Sequence, residues 1–444
     1  ATVVNDEDIN FAASTVGGAL SATATAGDIT NSAGVLTITG ASTFTVANTE
    51  NITLGSDNTF SSTVTFAASA GTIASVTIND SDAFDIKPLT TTGGLTVTAG
   101  GNITDSGTVT VGGNLIATTD DNDGVIDLGT LAVTGTITLT THSGGAATID
   151  NGTANIDIAA ASVGGNLTLT SGASTDGSNY AIMDSGTVTV GGNLIATTNA
   201  NNGVINLGTL AVDGTMALVT HNNGAATVVN DAAIEFAAST VGGALSATAT
   251  TGNMTDSGAL TVSGTSTFVT IANDATITLD QGGHAFTGAL LITTNDASPD
   301  TAGDVTISAG SGAVLDFGNS TIDGDLVATS SNTTGIIDSG AMTVRGTASF
   351  RTTAANADIS LGTSTLGDGT GTDTITLNTT GSTGNATLDN GTTAVVLGTS
   401  AASLVTSVGG DLTLTSGAAA GITDSATVSV GGNLAATTDD NNGV

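Results

Sequence analysis

The chain has 444 residues, with 62 Gly, 2 Pro, no Cys, no Trp and 2% aromatic residues, and its 39 acidic side chains against three basic ones give a formal net charge of −36. Lys87, Arg345 and Arg351 are the whole basic inventory; neutralising phosphates takes many more cations, so nucleic acid is excluded as a partner and an anionic membrane surface is disfavoured. Hydrophobic residues at 39% rule out a disordered acidic tail, no run of 18 apolar residues offers a membrane-spanning helix, and the lack of Cys removes disulfides, thiolate zinc sites and Cys nucleophiles.

In chain order, the opening ATVVNDEDINFAASTVGGALSATATAGDIT (Ala1–Thr30) recurs from Ala226 as ATVVNDAAIEFAASTVGGALSATATTGNMT, an offset of 225 residues. DSGTVTVGGNLIATT, from Asp105, returns unchanged from Asp184, an offset of 79, and in a third form, DSATVSVGGNLAATT, from Asp424. Shorter relatives begin at Asp256 (DSGALTVSGTSTF) and Asp338 (DSGAMTVRGTASF), with a looser one at Asn31 (NSAGVLTITGASTF). These marks, near 31, 105, 184, 256, 338 and 424, lie 72–86 residues apart, a spacing that reads as one supersecondary unit repeated.

Inside each unit, segments such as TVTV (Thr108–Val111), ITLTT (Ile137–Thr141) and LTLT (Leu167–Thr170) alternate aliphatic with Thr and close on Gly-Gly, Asn-Gly or Asp-Gly. A period of two in β-branched residues predicts strands half-buried on one face. The repetition selects a solenoid over a sandwich, because a coil buries its apolar edge only against a neighbouring coil. The expected fold is therefore all-β, a parallel β-helix with three short strands per coil of roughly 20–27 residues, forming one continuous segment over residues 1–444. The spacing of 22 residues from Leu115 to Ile137 and from Leu194 to Met216 fits one coil. About 18 such coils, stacked at roughly 4.8 Å, would make a rod on the order of 90 Å long.

The predicted core includes Val109, Val111, Leu115, Ile137, Leu139, Leu167, Leu169, Val188, Val190 and Leu194, with ten Phe residues filling its wider parts. Phe11 with Phe236, and Phe44 with Phe268, are repeat-equivalent, which predicts interior stacking. Val-Gly-Gly at Val16, Val111, Val163, Val190, Val241, Val408 and Val430 reads as a corner where Gly admits positive φ and close approach of coils. Asp439–Val444 matches Asn199–Val204, so the chain is expected to be close to one period, roughly 465 residues by this overlap, of a longer repetitive protein.

GGNITDSGTVTVGGNLIATT (Gly100–Thr119) and SVGGNLTLTSG (Ser162–Gly172) resemble the repeats of filamentous haemagglutinin-type exoproteins, large secreted bacterial adhesins of the two-partner-secretion type. The resemblance covers nearly the whole chain and is one of repeat style. It implies a right-handed β-helix, an extracellular or cell-surface location, and a role in adhesion, aggregation or matrix, with neighbouring repeats or further copies end to end, and a surface receptor or glycan, as partners.

The residues themselves carry little catalytic chemistry. His142 and His221 are repeat-equivalent in TTHSGG and VTHNNG, and with His284 are expected to be solvated corner residues. Polysaccharide-cleaving sites gather carboxylates with a cation or an aromatic platform; here cations are nearly absent and Tyr180, the one Tyr, lies in a variable corner. No enzyme activity, catalytic residue, cofactor or resident metal is expected. Two acidic loops are candidates for Ca²⁺, which takes carboxylate and carbonyl oxygens: Asp120, Asp121 and Asp123 in TTDDNDGV, and GDGTGTDTI over Gly367–Ile375. The first loses every charge in its copy Asn199–Asn202, which favours diffuse screening by cations over a built site. Thr-rich strands raise an ice- or mineral-binding alternative, and Asn-x-Thr triplets such as Asn102-Ile103-Thr104 follow from composition. The sequence thus reads as a structural or adhesive extracellular repeat protein, with a ligand-binding solenoid as the alternative.

Overall fold

A computed structural model describes residues 1–172, 180–296, 302–362, 364–368, 373–398 and 405–439. The described residues contain strands and turns but no helix, and the strands pair in parallel, coil on coil, through about 19 turns of a β-solenoid. The chain divides into two compact units, Ala1–Met216 and Ala217–Val444.

The alternation read in the sequence sets which way each side chain points. In Val109–Val111 the two Val side chains are buried and Thr110 faces outward; Leu167–Ser171 and Leu95–Ala99 repeat that pattern. Two successive coils of the first unit display the three-strand plan. Leu95–Ala99, Ile103–Asp105 and Val109–Val111 lie beneath Leu115–Asn122, Ile126–Leu128 and Leu131–Val133, with Leu95 paired to Leu115, Ile103 to Ile126 and Val109 to Leu131. Coil length follows the corners: paired positions are 19 residues apart at Val76 and Leu95 and 27 apart at Ala348 and Ile375.

The interior is aliphatic with aromatic stretches. All ten core positions named above are fully buried, each contributing about 1.5–3 kcal/mol relative to exposure. In the first unit Phe44 packs against Phe60, Phe66 and Phe11 with centroids 6.0–6.5 Å apart; in the second, Phe236, Phe268 and Phe286 form a run at 6.1 and 5.9 Å. The repeat-equivalent pairs Phe11–Phe44 and Phe236–Phe268 do meet, edge-to-face rather than stacked, and Phe11 is only half-buried.

The Val-Gly-Gly corners differ from expectation in one respect. Their glycines do not adopt positive φ; close approach requires them, except at the first corner, where a Cβ on Gly17 or Gly18 would meet nothing within 4 Å. A Cβ on Gly113 would stand 2.8 Å from the carbonyl carbon of Gly93, and Gly113 N–H donates to Gly93 O at 2.9 Å while Gly135 N–H donates to Gly113 O at 3.1 Å. Glycine here lets backbone stack on backbone.

The 79-residue repeat is out of phase with the coil. Leu115 pairs with Ile137 in one sheet, whereas its copy Leu194 pairs with Leu167 in another. The same segment serves either face because every face asks for the same alternation.

Candidate functional site: carboxylates between coils and a buried histidine

Two kinds of polar side chain tie one coil to the next, and a third closes corners within a coil. The first is the Asp of Asp-Ser-Gly. Asp105 Oδ1 accepts the Gly129 N–H at 2.9 Å, and its Oδ2 accepts the Thr130 N–H at 2.8 Å with the Thr130 hydroxyl at 2.6 Å. Asp184 holds Gly208 and Thr209 in the same way, at 2.8, 2.7 and 2.6 Å. Asp338 repeats the grip on Gly362 N–H, with the Ser364 hydroxyl on Oδ2. A Leu-Gly-Thr one coil after Asp-Ser-Gly is thus the partner of the acid.

The second is the residue after Gly-Gly. Asn114, Asn166 and Asn193 each use Oδ1 to accept a backbone N–H one coil on, from Thr136, Asn193 and Thr215. Asp411, after Gly409-Gly410, does the same for Asn433 in the second unit, and Asp325, after Asp323-Gly324, for Thr347. Asp325 has its pKa raised, by burial first and by the Asp304 charge.

The third is a Thr-closed corner. Thr119, Thr141 and Thr198 each donate a hydroxyl to the carbonyl of Gly124, Gly145 or Gly203, closing a turn whose Asp123, Ser143 or Asn202 has φ of 63°, 50° or 62°. Asp and Asn tolerate this left-handed region better than most side chains. That explains the candidate calcium loop: Asp120 and Asp121 point to solvent, while Asp123 turns the corner and accepts the Gly144 N–H at 2.6 Å. Asn202 serves equally well in the uncharged copy. No group of three His, Cys, Asp or Glu able to hold a metal occurs among the described residues. In the second loop, Asp373 accepts the Asp368 N–H at 3.0 Å and its pKa is raised, chiefly by burial; residues 369–372 lie outside the described residues, as do 173–179 of the corner before Tyr180 and 440–444 of the terminal Asn-rich motif.

His142 and His221 are exposed corner residues. His284 is not, and the expectation of a solvated corner is corrected there. Its side chain is fully buried, stacked on Phe286 at 5.5 Å between centroids. Its Nδ1 accepts the Leu260 N–H at 2.9 Å, and its Nε2 stands 2.9 Å from Oδ2 of Asp256, whose side chain is also fully buried. Asp256 belongs to an Asp-Ser-Gly, and its Oδ1 accepts the Asp280 N–H at 3.0 Å. Here Leu279-Asp280-Gln281-Gly282-Gly283-His284 replaces Leu-Gly-Thr, so an imidazole fills the place of the Thr hydroxyl. The contact is close but poorly aligned: neither Nε2 nor Oδ2 makes a well-formed hydrogen bond. Burial lowers the His284 pKa below its ordinary value, against the pull of Asp256 and Asp280. The acceptor role of Nδ1 requires the neutral, Nε2-protonated tautomer.

A second buried acid, Asp80, caps the Phe60 N–H at 3.2 Å, and burial pushes its carboxyl up to about 6. Two cations pair locally, Lys87 with Asp85 at 2.6 Å and Arg345 with Asp323 at 3.2 Å. The arrangement is largely one of internal satisfaction: carboxylates such as those of Asp105, Asp184 and Asp338 act as acceptors between coils.

No curated protein and no solved structure matches the chain. A family model of repeats of unknown function matches residues 1–67, 74–123, 223–293 and 302–365, segments that together exceed half of the sequence. Those segments include the Asp-Ser-Gly acids Asp105, Asp256 and Asp338 and the Gly-Gly corner before Asn114, and the chain belongs to this family, DUF5649.

Proposed function

We propose that the chain is a structural or adhesive extracellular repeat protein, whose coils act as a stiff spacer or filament element. The observation that carries the reading is the repeated tie between coils: Asp105 and Asp184 bind the next coil identically, although they lie in different sheets. A sequence that invests its acids in coil-to-coil hydrogen bonds is built for stacking, and each added coil costs little chain entropy once its neighbour is in place. The resemblance to haemagglutinin-type repeats supports the extracellular and adhesive part, and the reading assigns no catalysis.

The ligand-binding alternative gains no specific support from the outer surface. Outward Thr lines strands of several sheets, as Thr43 and Thr65, Thr96 and Thr138, Thr90 and Thr110, and Thr148 and Thr168 illustrate, so no single face stands out as an ice or mineral plane.

Circular dichroism melts with and without EDTA, with electron microscopy of the same sample, test the proposal. A β spectrum, melting indifferent to EDTA, and thin rods or filaments are expected. Unfolding in EDTA would make Ca²⁺ part of the fold. Cleavage of any member of a polysaccharide panel would replace the scaffold reading with an enzymatic one, and failure of an antibody to label intact cells would overturn the surface location.

A further inference from the structure

We propose that a cavity in the first unit, between residues 61–63 and residues 83–87 of the next coil, is a binding site for a small neutral polyhydroxylated ligand, a single sugar ring or a polyol. The site goes beyond the scaffold reading and does not depend on it.

The cavity arises from a break in the ladder. Val64–Ala68 is the last strand of a four-stranded sheet, and Phe84–Ile86 of the next coil begins another; no paired register joins the two among the described residues. Pro88, which has no N–H to donate, lies along the same seam and lines a second, smaller cavity of about 140 Å³. The parted coils leave a space of about 230 Å³, below the roughly 300–1,000 Å³ of sites for drug-sized ligands and suited to one ring.

Its walls combine apolar and hydrogen-bonding groups. Phe60 and Phe84 supply apolar surface; Asp80, Asp85, Lys87 and the hydroxyls of residues 61–63 supply donors and acceptors. Asp80 is 1% exposed, and its Oδ1 already takes the N–H groups of Phe60 at 3.2 Å and Asp82 at 3.4 Å. Its Oδ2 has no hydrogen-bond partner among the described residues, and Asp80 lines the cavity, so this carboxylate offers an acceptor that a ligand hydroxyl would satisfy.

The charges select a neutral ligand. Lys87 Nζ lies 2.6 Å from Asp85 Oδ2 and 3.0 Å from Ser106 Oγ, so its charge is matched and offers little to an anion. Of the two carboxylates, Asp85 is already held by that ammonium, so a cation finds no free carboxylate pair here. Carboxylate acceptors beside ammonium and hydroxyl donors suit vicinal hydroxyls, each of which donates and accepts.

Saturation-transfer NMR on the full chain, with glucose, galactose and N-acetylglucosamine as probes and glucuronate and glucosamine as charged comparators, tests the site. Transfer to at least one neutral sugar, exceeding that to the charged ones, is expected. Ala83→Trp, at an exposed position on the rim, should reduce that transfer at least tenfold with an unchanged melt. Thr63→Trp, exposed on the opposite lip, is read instead should Ala83→Trp melt early. Absence of transfer from every neutral sugar, or equal transfer in wild type and the rim variant, would overturn the proposal; preference for glucuronate or glucosamine would overturn the ligand class.

Discussion

Asn58 and His284 hold the same station in two copies of one repeat: Asn58 Oδ1 accepts the Leu36 N–H at 2.9 Å, and His284 Nδ1 accepts the Leu260 N–H at 2.9 Å. Their partners correspond as well. Asn58 receives the Asn31 amide at 2.6 Å, and His284 faces Asp256, the residue 225 positions after Asn31. An inward polar side chain thus closes a backbone N–H that the strand ladder leaves open, as Asn151 does for Val133 and Asn390 for Leu366. Buried N–H groups demand such partners, and the repeat has met the demand with a neutral amide pair once and an ionisable pair once.

The Asp-Ser-Gly grip predicts a local, additive loss. Asp105→Ala removes the acceptor of two backbone N–H groups, and because water reaches this corner the cost should be about 1–2 kcal/mol. Native-state hydrogen exchange should quicken at Gly129 and Thr130 first. Asp184→Ala should do the same at Gly208 and Thr209, and the double variant should lose the sum, since the two grips share no residue. Global loosening from either single change would contradict a coil-to-coil tie.

Backbone stacking at the corners predicts that two glycines respond in opposite ways. Gly113→Ala forces a Cβ to within 3.0 Å of three backbone atoms of Gly93 and Gly94, so adjacent coils must part. Gly129→Ala meets nothing within 4 Å, keeps the N–H that Asp105 binds, and should melt like wild type. Equal melting of the two variants would show that Gly-Gly is not a spacing device.

Much of this fold is legible in the sequence because alternation is local: Val109-Thr110-Val111 needs no knowledge of its neighbours to declare which side chains face inward. Phase is not legible, since Leu115 and Leu194 open identical segments and yet enter different sheets. The polar ties were missed for a related reason. Each tie between coils joins residues 18–30 apart, so Asp105 and Thr130 look unrelated until coil length is known, although the recurrence of Leu-Gly-Thr after Asp-Ser-Gly in both copies was a usable signal. His284 was misread because Gly282-Gly283 marks it as a loop; alignment with Asn58 would have placed it inside.

Asp80 gives a pH dependence with a definite sign. Its native pKa of about 6 lies above the ordinary 3.8, because burial disfavours the charge, so the native state holds the proton more tightly than the unfolded chain. Stability from this group is therefore full at low pH, declines as pH rises from about 4 to about 6, and stays reduced above that. Asp80→Asn keeps an oxygen for the Phe60 N–H and extends the buried Asn31–Asn58 column without a charge. The variant should melt above wild type at pH 8, with the gap closing at pH 4. A gap of the same size at both pH values would remove the carboxyl as its cause.

The buried pair in the second unit gives the opposite sign. Burial lowers the His284 pKa from 6.5, so the unfolded chain takes up a proton first. The contribution is whole above pH 6.5 and falls away as pH drops below it toward the depressed native value. Protonation also places a hydrogen on Nδ1, where the Leu260 N–H must be accepted, and the carboxylates facing the ring, Asp256 and Asp280, moderate the cost without restoring that acceptor. Asp256→Asn with His284→Asn rebuilds the amide pair of Asn31 and Asn58. The double variant should keep the fold and lose the part of the second unit's pH dependence that sets in as pH falls below 6.5, read by hydrogen exchange at Leu260. His284→Asn alone, beside a buried Asp256 carboxylate with no imidazole to face, should be less stable than the double variant at pH 7. Unchanged exchange at Leu260 across that pH range in wild type would sink the assignment of His284 as a titrating cap.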